Sequence, residues 1–360
     1  MGRLPNRLPD YTMEIIEPRA ANYLITSPNA LNGPYKVYDG KTRQMVHYET
    51  TDAGAAIQWA IDNLPEHDIG INTGGGSICL VDLRYEIESK IIIDRPIDLF
   101  GFGKSYMTEL VAMNELNDRI IEIDDTHLFH YQIHDMHLSG NKYAQSGGDY
   151  VFYGPGCYAT IFNFFIMSGF AGGMYLSAQD SYLFNVYVEF CDGYGIDATS
   201  GNHKTFIDVT CWQNGERGLY FGGDRGNIIG GRFCNNTKQG IYLGGKWTGC
   251  CNNVCINNGE EGIMGINCTY ATISDNMCID NGKTANNTYD AIRLYNSNHV
   301  VVKGNIINTV SGNAHRYSIN EDSGTANRNI IIGNVALGGA TGQIHLQAGS
   351  NTISEHNQEA

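Results

Sequence analysis

Proline and charge are both scarce in this chain: Pro occurs 8 times in 360 residues, and only 17% are Asp, Glu, Lys or Arg. Helical bundles do not have that composition. Short strands joined by tight turns do, and Gly at 44 and Tyr at 22 fit them. Basic residues are the minority, 23 against 38 acidic, for a formal charge of -15. Such a field repels polyanions and argues against a nucleic-acid partner, while leaving one locally basic groove open. No stretch approaches the ~20 apolar residues of a membrane span, so no membrane partner is expected. The opening MGRLPNRLPDYTMEIIEPRA lacks the apolar core of a signal peptide, which predicts a soluble chain exported, if at all, by another route. Ten cysteines are present, and Cys211, Cys255 and Cys278 share one strand position of successive repeats. That placement predicts reduced, stacked core thiols rather than disulfides.

What is abundant is a period. Aligning the chain on the glycine after each Asn-Gly or Asp-Gly signal gives Gly173, Gly195, Gly218, Gly240 and Gly262, separated by 22, 23, 22 and 22 residues. Each repeat reads as strand, Asn/Gly-rich turn, strand, turn, as in FIDVTCWQNGERGLYFGG and IIGGRFCNNTKQGIYLGG. A fixed period of this length signals a solenoid, and no apolar run at helical spacing is long enough for helical repeats. Degenerate turns extend the pattern through 131–141 and 159–169 upstream and 300–313 and 330–339 downstream. The fold class expected is all-β, a right-handed parallel β-helix. Residues 1–50 read as a strand-rich extension, 51–350 as the coil with its cap, and 351–360 as a C-terminal tail. The segment TDAGAAIQWAIDNL carries an N-cap residue followed by apolar positions at helical spacing, predicting a capping helix over 52–63. It would cover the open end of the coil.

DAGAAIQWAIDNL, GGGS (74–77) and LFGFGKS (99–105) together resemble the N-terminal part of pectate-lyase-like β-helix proteins, common among phage tailspikes and polysaccharide-degrading enzymes. The preceding YKVYDGKTRQMVHYETT is similar to openings of β-helix proteins from archaea and their proviruses. The resemblance covers about the first 140 residues. It implies the fold and a place outside the cell or on a virion, but leaves lyase, hydrolase, epimerase and adhesin open.

Stacked turns place equivalent residues in a ladder about 4.8 Å apart. Two positions after the aligned glycine, where side chains point outward, stand Tyr175, Asp197, Tyr220, Tyr242 and Met264, with Arg293 next if KTANNTY is a loop insertion. An aromatic track suits the apolar faces of sugar rings, which makes a polysaccharide the expected partner. Residues 197–246 hold six cations (Lys204, Arg217, Arg225, Arg232, Lys238, Lys246) and four carboxylates, a surplus of two in an acidic chain. That strip suggests an anionic ligand. The substrate-binding set is therefore Tyr175, Tyr220, Tyr242, Lys204, Arg225, Lys246 and Arg293.

Tyr194-Gly-Ile-Asp197 resembles the Tyr-Gly-Phe-Asp-Pro-His signature of the mannuronan C5-epimerases, β-helix enzymes related in mechanism to alginate lyases. The resemblance implies proton transfer by Tyr and His with acidic residues completing the site. Tyr194 and Asp197 match; Thr199 stands where that His belongs, with His203 four residues on. The second acidic residue of the family falls nearest Gly222, two residues before Asp224. The expected catalytic set is Asp197, His203, Asp224 and Tyr194, for β-elimination or epimerisation of a uronate. Glycoside hydrolysis by Asp197 with Asp224 or Glu189, and adhesion without chemistry, are the alternatives. No cofactor is implied. His127, His130, His134 and His137 with Asp135 have the density of a metal site, but alternation along a strand sends neighbours to opposite faces, so a structural role is expected and no metal site is assigned. GGGS lacks the Lys and helix of a phosphate loop. Exposed Phe and Tyr on a side face would be consistent with a homotrimer.

Overall fold

The computed structural model describes residues 21–26, 34–49, 51–65, 75–102, 108–126, 129–311, 313–322, 326–348 and 350–359. Many of its strands are triplets whose side chains alternate between the interior and the surface. In Ile241–Leu243, for example, Ile241 and Leu243 are buried while Tyr242 faces out. Successive triplets pair in parallel without slipping, so the inward column Ile196, Leu219, Ile241, Ile263, Ile292, Ile319 forms one apolar stack. The chain is a right-handed parallel β-helix.

Among the described residues, eleven strands, from Ile91–Ile93 to Gly342–His345, make a front sheet. A second, folded sheet of 23 strands makes the remaining walls. In early turns its strands are long, as in Tyr158–Met167 and Thr205–Trp212; in later turns each is divided into two triplets. From the strand His130–Ser139 onward, one left-handed residue per turn bends the strand or pair: Asp135, Asn163, Asn185, Asp208, Gly230, Asn252, Asp275, Gly304 and Gly333. These are the residue types that adopt positive φ at least cost.

The position after this bend is apolar in early turns (Met136, Phe164, Val186, Val209) and becomes Asn253, Asn276, Asn305 and Asn334 later. Each amide donates to the next at 2.9–3.1 Å. A second ladder, Asn214, Asn236, Asn258 and Asn281, runs parallel, with Nδ2 to Oδ1 distances of 2.9–3.1 Å. Each acceptor oxygen also takes a backbone N–H of the preceding turn. Buried amides are affordable here because repetition satisfies both ends of each.

The capping helix α1 (Ala53–Asp62) lies where the sequence places it. Asp52 accepts from Gly54 N at 2.8 Å and from Glu88 N at 3.0 Å, fixing the helix start to the first turn. Ala53, Ala56, Ile57, Ala60 and Ile61 are buried. Of the expected N-terminal extension, residues 1–20 lie outside the described residues. The first described strand, Tyr23–Thr26, pairs in parallel with Gly76–Leu80 and so belongs to the coil wall. The expected tail at 351–360 is corrected: Ile353–Glu355 and Gln358–Glu359 pair with the turn before, and Asn334 donates to Asn357 at 3.0 Å. The ladder continues because Asn357 presents the amide that the preceding turn needs. Of the glycine run, Gly75 precedes the strand Gly76–Leu80, and Gly76 and Ser77 are its first residues; LFGFGKS is described only to Phe102.

All ten cysteines are free thiols, eight of them buried. Cys211, Cys255 and Cys278 do share a column, with Phe233 between the first two. No helix of the described residues is long and apolar enough to cross a membrane. Of the histidine group, His127 lies outside the described residues. His134 is sandwiched between Phe100 and Phe162 and bonded to Asp98 and Asp135, while His137 stacks on Phe165.

Two stability tests follow. Asn258→Ala removes the acceptor of both the Asn236 backbone N–H and its side-chain amide and strips the Phe233 carbonyl of its side-chain donor in a dry interior, so urea denaturation should register a loss of about 2–4 kcal/mol. His315 is fully buried between Thr309 and Ser318, and desolvation lowers its pKa to about 4. The unfolded imidazole takes up a proton near pH 6.5 and the folded one does not, so stability present above that pH falls as pH drops toward 4. His315→Gln should flatten that acid limb relative to its own stability at pH 7.5.

Candidate functional site

The front sheet carries two outward columns side by side. The first is Glu122, Tyr153, Tyr175, Asp197, Tyr220, Tyr242, Met264, Arg293, Asn320 and His345, each in register with the next. It contains the expected tyrosine ladder and places Arg293 where the insertion argument put it. The second column, three residues earlier in each turn, is Tyr150, Gly172, Tyr194, Arg217, Gln239 and Glu261; its later members are held by backbone bonds such as Gly195 N to Arg217 O at 2.9 Å and Gly218 N to Gln239 O at 3.0 Å.

Where the columns meet at Asp197, the groups converge. The Tyr150 hydroxyl donates to Asp197 Oδ2 at 3.0 Å, and Thr199 N donates to Oδ1 at 3.2 Å. Burial first, then the Asp197 charge, pushes the Tyr150 hydroxyl pKa up, so this phenol holds its proton. Tyr150 reaches across a whole turn because Gly172 lies beneath its ring: a Cβ there would sit 2.5 Å from Tyr150 Cε1. Arg217 donates to the Tyr194 hydroxyl at 3.2 Å and to Gln239 Oε1 at 2.7 Å. Its guanidinium lies 5.0 Å from the Tyr220 ring and 4.4 Å from the Tyr242 ring. The other front-face arginines are ion-paired: Arg119 with Asp149 and Glu122, Arg293 with Glu261 and Asp322, Arg316 with Asp290. Among the described residues Arg217 has no carboxylate at ion-pair distance.

Several expected members of the site are elsewhere. Lys204, expected as a surface cation, is 1% exposed; its ammonium donates to the Ala198 and Ser200 carbonyls, and burial lowers its pKa to about 7. It fastens the turn after Asp197 from inside, from the irregular segment between the strands that end at Ala198 and begin at Thr205. His203 sits at a left-handed corner beyond the sheet edge, with Nδ1 3.3 Å from Asp180 and Nε2 3.2 Å from Arg225. Both ring nitrogens are engaged there, and no hydrogen bond or ion pair joins the ring to Asp197 among the described residues. Asp224 accepts from Lys246 N at 2.8 Å, a turn-to-turn bond that occupies one carboxylate oxygen. It is not brought to Asp197, because four residues separate it from Tyr220, the register partner of Asp197. Glu189 ends the strand Tyr182–Glu189 on the other sheet. Arg225 and Lys246 are exposed at the corner and not in the columns. Tyr150 and Arg217 were not singled out from the sequence, although Gly172 interrupting a column of large side chains marks the first.

The sequence profile of the family described as "Periplasmic copper-binding protein (NosD)" matches residues 162–336. No curated protein matches the chain. Among solved structures, the A-module of mannuronan C-5 epimerase AlgE6 from Azotobacter vinelandii is 18% identical and superposes with a TM-score of 0.66, covering 86% of this chain and 96% of that one. The enzymatically active domain of bacteriophage CBA120 tailspike protein 2 is 17% identical with a TM-score of 0.55 over 71% of this chain and 43% of that one. A variant of the periplasmic alginate epimerase AlgG is 12% identical with a TM-score of 0.52, over 83% and 81%. These likenesses establish the fold. Among the described residues, no three His, Cys, Asp or Glu side chains gather as a metal site.

Gly172→Ala should cost about 1–3 kcal/mol by overpacking against Tyr150, whereas Gly147→Ala, with nothing within 4 Å of the added methyl, should be neutral in the same urea titration. Equal stabilities would remove Tyr150 from its place over Gly172.

Proposed function

We propose that the front-sheet columns bind a uronic-acid polysaccharide such as alginate and that the protein is a polysaccharide lyase or C5-epimerase. The observation that carries this is Arg217, a guanidinium without an ion-pair partner among the described residues, set among Tyr194, Tyr220 and Tyr242 beside Asp197. Such a group suits a sugar carboxylate, because neutralising that charge is what makes the C5 proton removable. On this reading Asp197 takes the C5 proton, and Tyr150 holds its carboxylate in position. Tyr194 accepts from Arg217, which leaves its own proton free to pass to O4 as the C4–O4 bond breaks and the C4–C5 double bond forms. In epimerisation no bond to O4 breaks and a proton returns to C5 from the opposite face. Tyr175, Tyr220 and Tyr242 stack on neighbouring sugars. The two-carboxylate hydrolase loses support, since neither Asp224 nor Glu189 lies in the columns.

Incubation with alginate, polygalacturonate or hyaluronan should produce ultraviolet-absorbing unsaturated ends, or, for an epimerase, deuterium incorporated at C5 from D2O. Asp197→Asn, Tyr194→Phe and Arg217→Ala should each reduce that signal ~10²–10⁴-fold. Reducing ends without either signal mean hydrolysis, and binding with no product on any glycan means an adhesin; each outcome sinks the lyase reading.

Assembly belongs to the same proposal. Tyr182, Phe184 and Ile207 stand 56%, 52% and 38% exposed on the folded sheet, a side face on which a homotrimer would rest. Light scattering at about three times the 39.6 kDa chain mass would support it, and a monomer would end it. An extracellular or virion-associated place accords with such a substrate.

A further inference from the structure

From Asp135 onward the turns of the coil bend at left-handed corners, and two of the corners differ in what they carry. The bend within the folded sheet uses Asp, Asn or Gly in every turn from Asp135 to Gly333. The corner between the front sheet and the folded sheet has the same backbone twist, with φ between 45° and 58°, but carries Asp180, His203, Arg225, Trp247, Tyr270, His299 and Arg328. Backbone bonds tie these residues to the next turn at the same level: His203 N to Asp224 O, Arg225 N to Lys246 O, Trp247 N to Thr269 O, Tyr270 N to Asn298 O. Left-handed backbone disfavours bulky side chains and favours Gly and Asn. The same geometry is met at the bend of the folded sheet by the residues that suit it, and at this corner mostly by large aromatic and cationic ones.

Those side chains form a continuous stack. Asp180 meets His203, and Arg225 donates to His203 Nε2 at 3.2 Å while its guanidinium lies 5.4 Å from the Trp247 ring. Trp247 and Tyr270 are nearly parallel, at 12° and 6.2 Å between centroids, and Tyr270 is 4.9 Å from His299. The packing does not bury them: Trp247 remains 50% exposed and Tyr270 53%. About half of each residue stays in water, so hydrophobic burial accounts for only part of their choice. Beside them Lys246 is exposed, and its ammonium makes no ion pair among the described residues. The stack is set apart from the front-sheet columns, since each member follows its strand by several residues: Arg225 after Tyr220, Trp247 after Tyr242.

We propose that Arg225, Trp247, Tyr270 and His299, with Lys246, form a second glycan-binding track along the corner, which holds an anionic polysaccharide lengthwise while the front sheet acts on it. This rests on the reading of the front sheet for its substrate class. Successive turns are spaced about 4.8 Å apart, close to one sugar unit of an extended chain, so consecutive residues of the track meet consecutive sugars. Aromatic edges and faces take the sugar rings, and Arg225 and Lys246 take the carboxylates. The surplus of cations in this acidic chain falls within residues 197–246, which include both.

The test uses the full chain with sodium alginate, polygalacturonate and hyaluronan, and neutral dextran as the charge control. Polymer binding should change the fluorescence of Trp247, and Trp247→Phe should abolish that change although Trp59 and Trp212 remain. The double variant Trp247→Ala/Tyr270→Ala, with an unaltered circular dichroism spectrum, should bind the best polyanion at least about tenfold more weakly in calorimetry. Arg217→Ala should retain the fluorescence response while losing product formation. A wild-type response to a polyanion with no product from any glycan would sink the enzymatic reading and leave the track standing. The track is overturned if the double variant binds as wild type does, if no polyanion binds the wild-type chain, or if dextran binds as well as the polyanions.

Discussion

The structure depends on one constraint, the parallel backbone hydrogen bonding that holds each turn in register above the last. Because Tyr220 pairs with Tyr242 and Leu219 with Ile241 without a slip, any side-chain type chosen once and repeated becomes a column. An apolar column becomes core, an amide column becomes a self-satisfied ladder, and an outward column becomes a surface of one chemical kind. A single-residue slip would exchange the inward and outward sets. The Asn ladders at two corners resist such a slip, since their amides are satisfied only at matched height.

The same constraint accounts for the way the candidate site is assembled. No single turn contains it. Asp197 belongs to one turn, Tyr150 is two turns earlier, and Arg217 is on the next. The interval is bridged where a residue is missing: Gly172 leaves the space through which Tyr150 reaches Asp197. Positive charge is managed with equal economy. Most arginines of the front face are ion-paired, Lys204 is used inside the turn, and Arg217 is kept among aromatic rings with hydrogen bonds only to neutral groups. A guanidinium held that way is poised for a carboxylate from outside the chain.

The corner ladder illustrates a different use of repetition. Backbone strain at a left-handed residue is cheap for Asn and Gly and more costly for Trp, Tyr or Arg. The bend of the folded sheet, from Asp135 to Gly333, follows the cheap rule; the corner from Asp180 to Arg328 does not. That departure is the feature of the molecule least explained by folding alone.

The capping helix was legible from its N-cap and helical apolar spacing. The 22-residue period by itself determined the solenoid and the outward column from Tyr175 to Met264, because a parallel coil repeats in space whatever repeats in sequence. Free, buried cysteines were legible for the same reason. Tertiary structure decided everything that depends on reach, on side-chain direction within a turn, or on a neighbour more than one turn away. Lys204 turned inward and His203 outward to the corner because the chain leaves the strand between Ala198 and Thr205, where period-2 alternation no longer applies. Asp224 went to a turn-to-turn bond rather than to Asp197 for the same reason. Tyr150 entered the site from two turns away, a distance that no local motif encodes, and Arg217 became distinctive only once every other arginine of the front face was seen to have its carboxylate.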